Sequence, residues 1–232
     1  MTATTAAGRR GLMPSLVRWH VGLGELGLRL FLLHLLWILG VLAGGAVLGL
    51  FPATAAVHSV LRADLVDAAR ERDGSAPLRR DRLWASFWSA WRSEFGRSQW
   101  LGALLVAGWA LLLVDRLVVR AGIGEVTGFA SGVLVVLTVL WALVSVVVWP
   151  LSAHFTDPLP RLLRMTMVLM AARIPLTLSI AAVLAATLWL WGTLPGLLPV
   201  VGILPTCWLV SLLCWRSGAL PAPSDPDRTA RS

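Results

Sequence analysis

Four residues of this sequence could do chemistry inside a membrane: Asp115, Arg116, Arg173 and His34. Each lies within or beside a long apolar stretch, where an ionisable side chain is costly and commonly marks an ion path, a proton relay or a ligand contact. Asp115 and Arg116 are neighbours just before the end of the apolar stretch 100–119. We therefore identify these four residues as candidates for binding.

Each candidate also has a structural interpretation, which we favour. Arg116 can extend toward the membrane surface beside Asp115. Arg173 can mark the membrane edge, because Pro175 breaks a helix next to it. His34 can be a hydrogen-bonded structural residue close to Trp37.

Motifs of known enzymes are missing from the sequence. There is no His-Glu-x-x-His metal motif, no pair of intramembrane aspartates and no serine–histidine nucleophile arrangement. All 20 basic residues are arginines, which excludes a phosphate-loop lysine and a Schiff-base lysine. Cys207 and Cys214 would lie about 10 Å apart along one helix, too far for a disulfide. We expect no enzymatic activity, no cofactor and no metal.

Composition sets the class of protein that must position these residues. The chain has 232 residues, of which 57% are hydrophobic and 14% charged, whereas soluble domains carry about 25% charged residues. This predicts an all-α, polytopic transmembrane bundle. We predict about five spans, each close to the 20 or so residues that cross a bilayer: 30–50, 100–119, 127–149, 174–194 and 196–215.

The spans define the predicted domain organisation. Residues 1–29 are a polar, interfacial segment, residues 30–215 are a single membrane domain, and the proline-rich residues 216–232 are a disordered tail. The net charge is +8, but the arginines lie beside apolar spans. They therefore suit anionic lipid headgroups rather than nucleic acid.

Residues 79–100 predict an amphipathic helix at the membrane interface. One face carries the aromatic residues Trp84, Phe87, Trp88, Trp91 and Phe95, and the other carries Arg82, Ser86, Ser89, Arg92, Ser93 and Arg97. A helix restarted after Pro52 would pair with it, so we predict an amphipathic helical hairpin over 51–99. The aromatic face could dock on lipid or on the bundle, and its large apolar area favours the bundle.

The arginine distribution predicts orientation. Five crossings divide the arginines 14 to 6, with the 51–99 hairpin cytoplasmic, the N-terminus outside and the C-terminus inside. If residues 30–61 instead enter the membrane and return, the division becomes 18 to 2. We favour the five-crossing topology, with the N-terminus outside and the C-terminus inside, and keep the re-entrant topology as the alternative.

Two sequence features together resemble the YesL family of bacterial membrane proteins. The first is an apolar span that leads into Phe51, Pro52, Ala53 and Thr54, and the second is the spaced triplet of Phe87, Trp91 and Phe95. Later spans match mostly by hydropathy, and His34 stands where the family usually has Asn.

The resemblance implies a protein without established activity, located in the bacterial plasma membrane and linked with carbohydrate uptake. Our leading hypothesis is a non-enzymatic accessory component whose partners are the lipid bilayer and a sugar transport complex or a second copy of the chain. The alternative is a self-contained small-solute transporter. An intramembrane enzyme ranks third.

Overall fold

The computed structural model describes residues 7–72, 82–121, 127–197, 202–218 and 220, which form eight α-helices and no strand. This confirms the predicted all-α bundle. A short 3₁₀ turn at Pro195–Leu197 precedes the last helix. The helices are α1 (Ala7–Ala43), α2 (Val47–Arg72), α3 (Leu83–Ser93), α4 (Phe95–Arg120), α5 (Thr127–His154), α6 (Leu159–Ala172), α7 (Ile174–Thr193) and α8 (Leu204–Arg216).

Four stretches within the described helices are long and apolar enough to cross a membrane, where we predicted about five. They are Gly24–Ala43, Phe95–Arg120, Gly128–His154 and Ile174–Thr193. The predicted fifth span, 196–215, includes residues outside the described ranges, and its described part contains α8, which has 13 residues. A helix of that length rises only about 20 Å, less than the roughly 30 Å hydrocarbon core. Gly202, with a positive φ of 57°, turns the chain just before α8.

Some predicted boundaries fall outside the described residues or differ from the structure. The predicted start of the aromatic helix at Arg79, residues 1–6 and most of the C-terminal tail lie outside the described ranges. The segment predicted as interfacial continues into the first span, because α1 is one helix of 37 residues. The predicted 79–100 helix is divided by the single residue Glu94 into α3 and the start of α4.

Helices α1 and α2 form an antiparallel hairpin. Arg29 pairs with Asp64 near its open end, and Trp37 Nε1 donates a hydrogen bond to Thr54 Oγ in its middle, at 3.2 Å. Gly45 and Ala46 both have positive φ in the connecting turn. The chain therefore returns to the end where α1 began.

Helix α2 is the centre of the bundle, packing against α1, α3, α4, α5 and α8. The predicted α2–α3 pairing is present. Residues 52–61 of α2 are mostly buried in protein, with Ala53, Ala56 and Val57 wholly inaccessible. Small side chains in this stretch let neighbouring helices approach the backbone closely.

Pro52 lies inside α2 rather than before its start. Proline has no backbone N–H, so the carbonyl of Leu48, four residues earlier, loses its helical donor. Gln99 Nε2, on α4, donates a hydrogen bond to that carbonyl. The side-chain amide thus replaces the missing backbone bond and ties the start of α2 to α4.

Helices α4 and α5 form a second antiparallel hairpin. Trp109 Nε1 donates to Ser145 Oγ at 3.2 Å, and Trp141 Nε1 donates to the carbonyl of Leu105 at 3.2 Å. Arginines cover the carboxyl end of α5, where backbone carbonyls lack helical donors. Arg62 Nη1 donates to the carbonyl of Ala153 at 2.8 Å, and Arg97 Nη1 donates to that of Ser152 at 3.0 Å.

Cysteine labelling tests the α1–α2 hairpin. In a background with Cys207 and Cys214 replaced by Ala, Glu25→Cys and Glu71→Cys should react from the same side of sealed vesicles with a membrane-impermeant maleimide. Both glutamates are exposed, and the Arg29–Asp64 pair places them at one end. Labelling of the two cysteines from opposite sides would contradict this fold.

A glycine substitution tests the packing of α2 on α4. A Cβ at Gly102 would overlap the ring of Phe51, so Gly102→Ala should lower the free energy of unfolding by about 1–3 kcal/mol. Gly132→Ala on α5 is the matched control, because nothing lies within 4 Å of its Cβ position, and it should be neutral or stabilising by up to about 1 kcal/mol. Denaturation in mixed micelles measures both, and equal effects would exclude the proposed contact.

Candidate functional site

A polar cleft of about 270 Å³ lies between α1, α2 and α3. Its charged lining comes from Arg29 on α1 and from Asp64 and Asp67, one turn apart, on α2. Four hydroxyl groups complete the polar lining: those of Ser59, Ser86, Ser89 and Ser93. Among these side chains, Asp67 is buried, at 6% exposed.

Arg29 and Asp64 form a two-point ion pair on one wall of the cleft. Arg29 Nε donates to Asp64 Oδ2 at 2.7 Å, and Arg29 Nη2 donates to Asp64 Oδ1. Both side chains are a little over one quarter exposed, so the pair is reachable from the cleft. Two parallel N–H···O bonds also fix the orientation of the carboxylate.

This set of groups can bind a small polar ligand. Hydroxyls and carboxylates can hydrogen-bond a polyhydroxylated solute. Among the described residues, no group of three or more His, Cys, Asp or Glu is placed to hold a metal ion.

One histidine–serine contact does form, elsewhere in the bundle. His58 Nδ1 on α2 lies 3.2 Å from Ser211 Oγ on α8. Both side chains are almost fully buried, and neither lines a cleft described here. The contact therefore ties α8 to α2, and a substrate would have no route to it through these clefts.

The outer face of α3 forms a second, shallow groove of about 780 Å³. Phe87 is completely buried between α1 and α2, with its ring 3.0 Å from the Cβ position of Gly40. Trp84, by contrast, is 60% exposed, and it lines the groove with Trp88 and Arg92. The helix is thus anchored on protein, while part of its aromatic surface remains available outside.

A chain of aromatic contacts runs along α3 into α4. The ring centroids are 5.8 Å apart for Trp84 and Trp88, 5.6 Å for Trp88 and Trp91, and 5.1 Å for Trp91 and Phe95. These are ordinary edge-to-face separations. The predicted aromatic stripe is therefore one continuous surface, only part of which is covered.

The four ionisable candidates do not share a site. Asp115 lines an apolar groove where α4 ends and α5 begins, together with Phe129, and Arg116 is exposed next to it. Arg173 is the single residue between α6 and α7, at the break expected near Pro175. No cleft described here is lined by more than one of these residues.

His34 is enclosed by its neighbours. It is 3% exposed, its ring stacks with Trp37 at a centroid distance of 5.9 Å, and the backbone of Gly202 lies against its other side. A side chain at Gly202 would overlap the imidazole. These contacts fit the structural interpretation of His34.

The Phe51-Pro52-Ala53-Thr54 motif has packing roles in this structure. Phe51 stacks on Trp149 of α5, with ring centroids 6.5 Å apart. Ala53 lies against Gly40 and the Phe87 ring, and Thr54 accepts the hydrogen bond from Trp37. The motif thus joins α2 to its neighbours rather than lining a cleft.

Sequence reasoning missed the polar cleft. It assigned Ser86, Ser89 and Ser93 to the polar face of an interfacial helix and gave Arg29 no role. Arg29 and Asp64 are 35 residues apart, so no local pattern links them. The available signal was the Asp64–Asp67 spacing, which places two carboxylates on one helix face.

The fold and these surfaces define an all-helical, multi-pass membrane protein without a recognisable catalytic centre among its described residues. Residues 30–116 match the family described as "Protein of unknown function, DUF624". The chain is 30% identical over 155 residues to the uncharacterized protein YesL of Bacillus subtilis (strain 168), covering 67% of this chain and 68% of YesL. The chain therefore belongs to the YesL-like family of proteins of unknown function.

A second relative supports the same membership. The uncharacterized protein YteU of Bacillus subtilis (strain 168) is 27% identical over 168 residues, covering 72% of this chain and 70% of YteU. No solved structure matches the chain.

A double-mutant cycle tests the ion pair in the cleft. Arg29→Gln and Asp64→Asn should each lower the free energy of unfolding, and the double variant should lose less than their sum, with a coupling of about 1–2 kcal/mol. The pair of Asp157 and Arg161, in which the Arg161 side chain is 69% exposed, is the control, with an expected coupling below about 1 kcal/mol. Additive effects at Arg29 and Asp64 would show that the pair contributes no coupling.

Proposed function

We propose that this protein is a non-enzymatic component of the bacterial plasma membrane that binds a partner membrane protein through the outer face of α3. The observation that carries the proposal is the division of α3: Phe87 is fully buried, while Trp84 is 60% exposed beside Arg92. Exposed Trp and Arg on a rigid support are typical of residues that dominate protein–protein binding.

The partner we propose belongs to a carbohydrate uptake system. Support comes from the family resemblance, which implies a link with carbohydrate uptake; the relatives YesL and YteU are both named uncharacterized and add no activity. The exposed groove offers aromatic and guanidinium groups to a partner without requiring the bundle to open.

We also propose an orientation. Arg62 and Arg97 contact one end of α5, and the connection bearing Arg161 and Arg164 continues from that end, whereas Arg116 and Arg120 lie at the far end of α4. The positive-inside rule then favours a cytoplasmic location for the arginine-rich end. Because α1 and α2 return together, we place the N-terminus inside, in place of the outside location first expected.

A second candidate function is a self-contained transporter of a small polar solute. The polar cleft favours it, because hydroxyls, carboxylates and a guanidinium meet there within reach of solvent. Against it, the three candidate spans after α3 are 11–22% buried over their apolar windows, and they contribute nothing to the cleft lining. We therefore rank it second.

Site-specific photocrosslinking in the native host tests partner binding. A benzophenone amino acid at exposed Ser89 should form an adduct with an identified subunit of a carbohydrate uptake system, and Trp84→Ala should lower the yield severalfold. The same photoprobe at Val136, which is 58% exposed on α5, is the control and should react with lipid only. Adducts with lipid alone at both positions would refute partner binding, and adducts between two copies would indicate a homo-oligomer instead.

Flux measurements separate the two candidate functions. Proteoliposomes that contain this protein alone should take up labelled monosaccharides and disaccharides no faster than protein-free vesicles. Uptake above that background, lost in Asp64→Asn and retained in the control Arg92→Gln, would refute the accessory role and support the transporter.

A further inference from the structure

Helix α6 lies at one edge of the membrane domain. It connects α5 to α7, and both contain candidate spans, so it must lie near the level where one span ends and the next begins. Leu162, Thr166 and Met170 form its buried face, while Met167 and Val168 on other faces are 49% and 58% exposed. An amphipathic helix in this position contacts headgroups on one side and acyl chains on the other.

An apolar groove of about 530 Å³ runs between α6 and the end of α5. Leu151 and Phe155 from α5 line it on one side, and Met165 and Val168 from α6 line it on the other. Leu151 is almost fully buried and Phe155 packs on the core, so the floor of the groove is held by the bundle. Its lining is mostly hydrocarbon, as an acyl chain requires.

Two arginines lie at the polar rim of this groove. Arg161 and Arg164 are three residues apart on α6, so they share a face of the helix. The Arg161 side chain is 69% exposed and its Nη1 lies 3.1 Å from Asp157 Oδ1, so most of its donors remain available. Arg164 is exposed and makes no ion pair with any described residue.

We propose that this groove is a binding site for an anionic phospholipid. The guanidinium groups of Arg161 and Arg164 hold the headgroup phosphate, and an acyl chain lies along Phe155 and Val168. Guanidinium forms paired hydrogen bonds to phosphate oxygens, which a zwitterionic headgroup also carries. An anionic lipid is preferred because the site carries a net positive charge: two arginines face one acidic neighbour, Asp157. The choline of a zwitterionic lipid would add a third positive charge there.

Native mass spectrometry of the full-length protein in a nonionic detergent tests the site. The probes are dipalmitoyl phosphatidylglycerol and dipalmitoyl phosphatidylcholine at equal concentration. The wild-type protein should preferentially retain the phosphatidylglycerol. Arg161→Gln and Arg164→Gln should each lower that preference about fivefold, the effect of about 1 kcal/mol for one basic residue at a membrane surface. Arg120→Gln, which removes an exposed arginine at the far end of α4, should leave it unchanged.

Two further measurements separate a lipid site from general charge attraction. Val168→Asn, a neutral change at an exposed position of the groove, should lower the retention of both lipids, which carry the same acyl chains, while circular dichroism and the melting temperature stay at wild-type values. Inorganic phosphate at millimolar concentration should not displace the lipid, because it cannot occupy the apolar groove. The proposal is overturned if Arg120→Gln acts like Arg164→Gln, if phosphate displaces the lipid, or if both lipids bind equally.

Discussion

Close approach of helices at small residues is the constraint on which the rest of this structure depends. Apolar side chains gain little by leaving lipid for protein, so van der Waals packing and buried hydrogen bonds must hold a membrane bundle together. In this chain the packing is concentrated at Ala53 and Ala56 of α2 and at the facing glycines Gly40 and Gly102. The position of α3 follows, because the Phe87 ring fills the space that Gly40 leaves.

Helix α3 separates the two surfaces on which function is proposed. Ser89 and Ser93 line both the polar cleft on its inner side and the aromatic groove on its outer side. Only one layer of small side chains therefore stands between them. A ligand in the cleft and a partner on the groove would touch the same turns of α3, so solute recognition and partner binding need not be separate properties.

Local sequence patterns predicted the features that depend on residues close together in the chain. Apolar runs near 20 residues marked four candidate spans, and the aromatic spacing marked α3 with its buried Phe87. Features that depend on distant residues escaped prediction, above all the ion pair between Arg29 and Asp64. Hydropathy also gave no sign of the turn at Gly202 within the predicted 196–215 span, because an apolar stretch shows no periodic signal for a turn.

The hydrogen bond from Gln99 to the Leu48 carbonyl limits which substitutions members of this family can accept at positions 52 and 99. Pro52 creates the unpaired carbonyl, and the amide of Gln99 satisfies it from another helix. A relative that replaced the proline would regain the backbone bond and leave the amide without its acceptor, while one that lost the amide would keep an unsatisfied carbonyl. Positions 52 and 99 therefore form an epistatic pair, and substitutions at them should covary during evolution although 47 residues separate them.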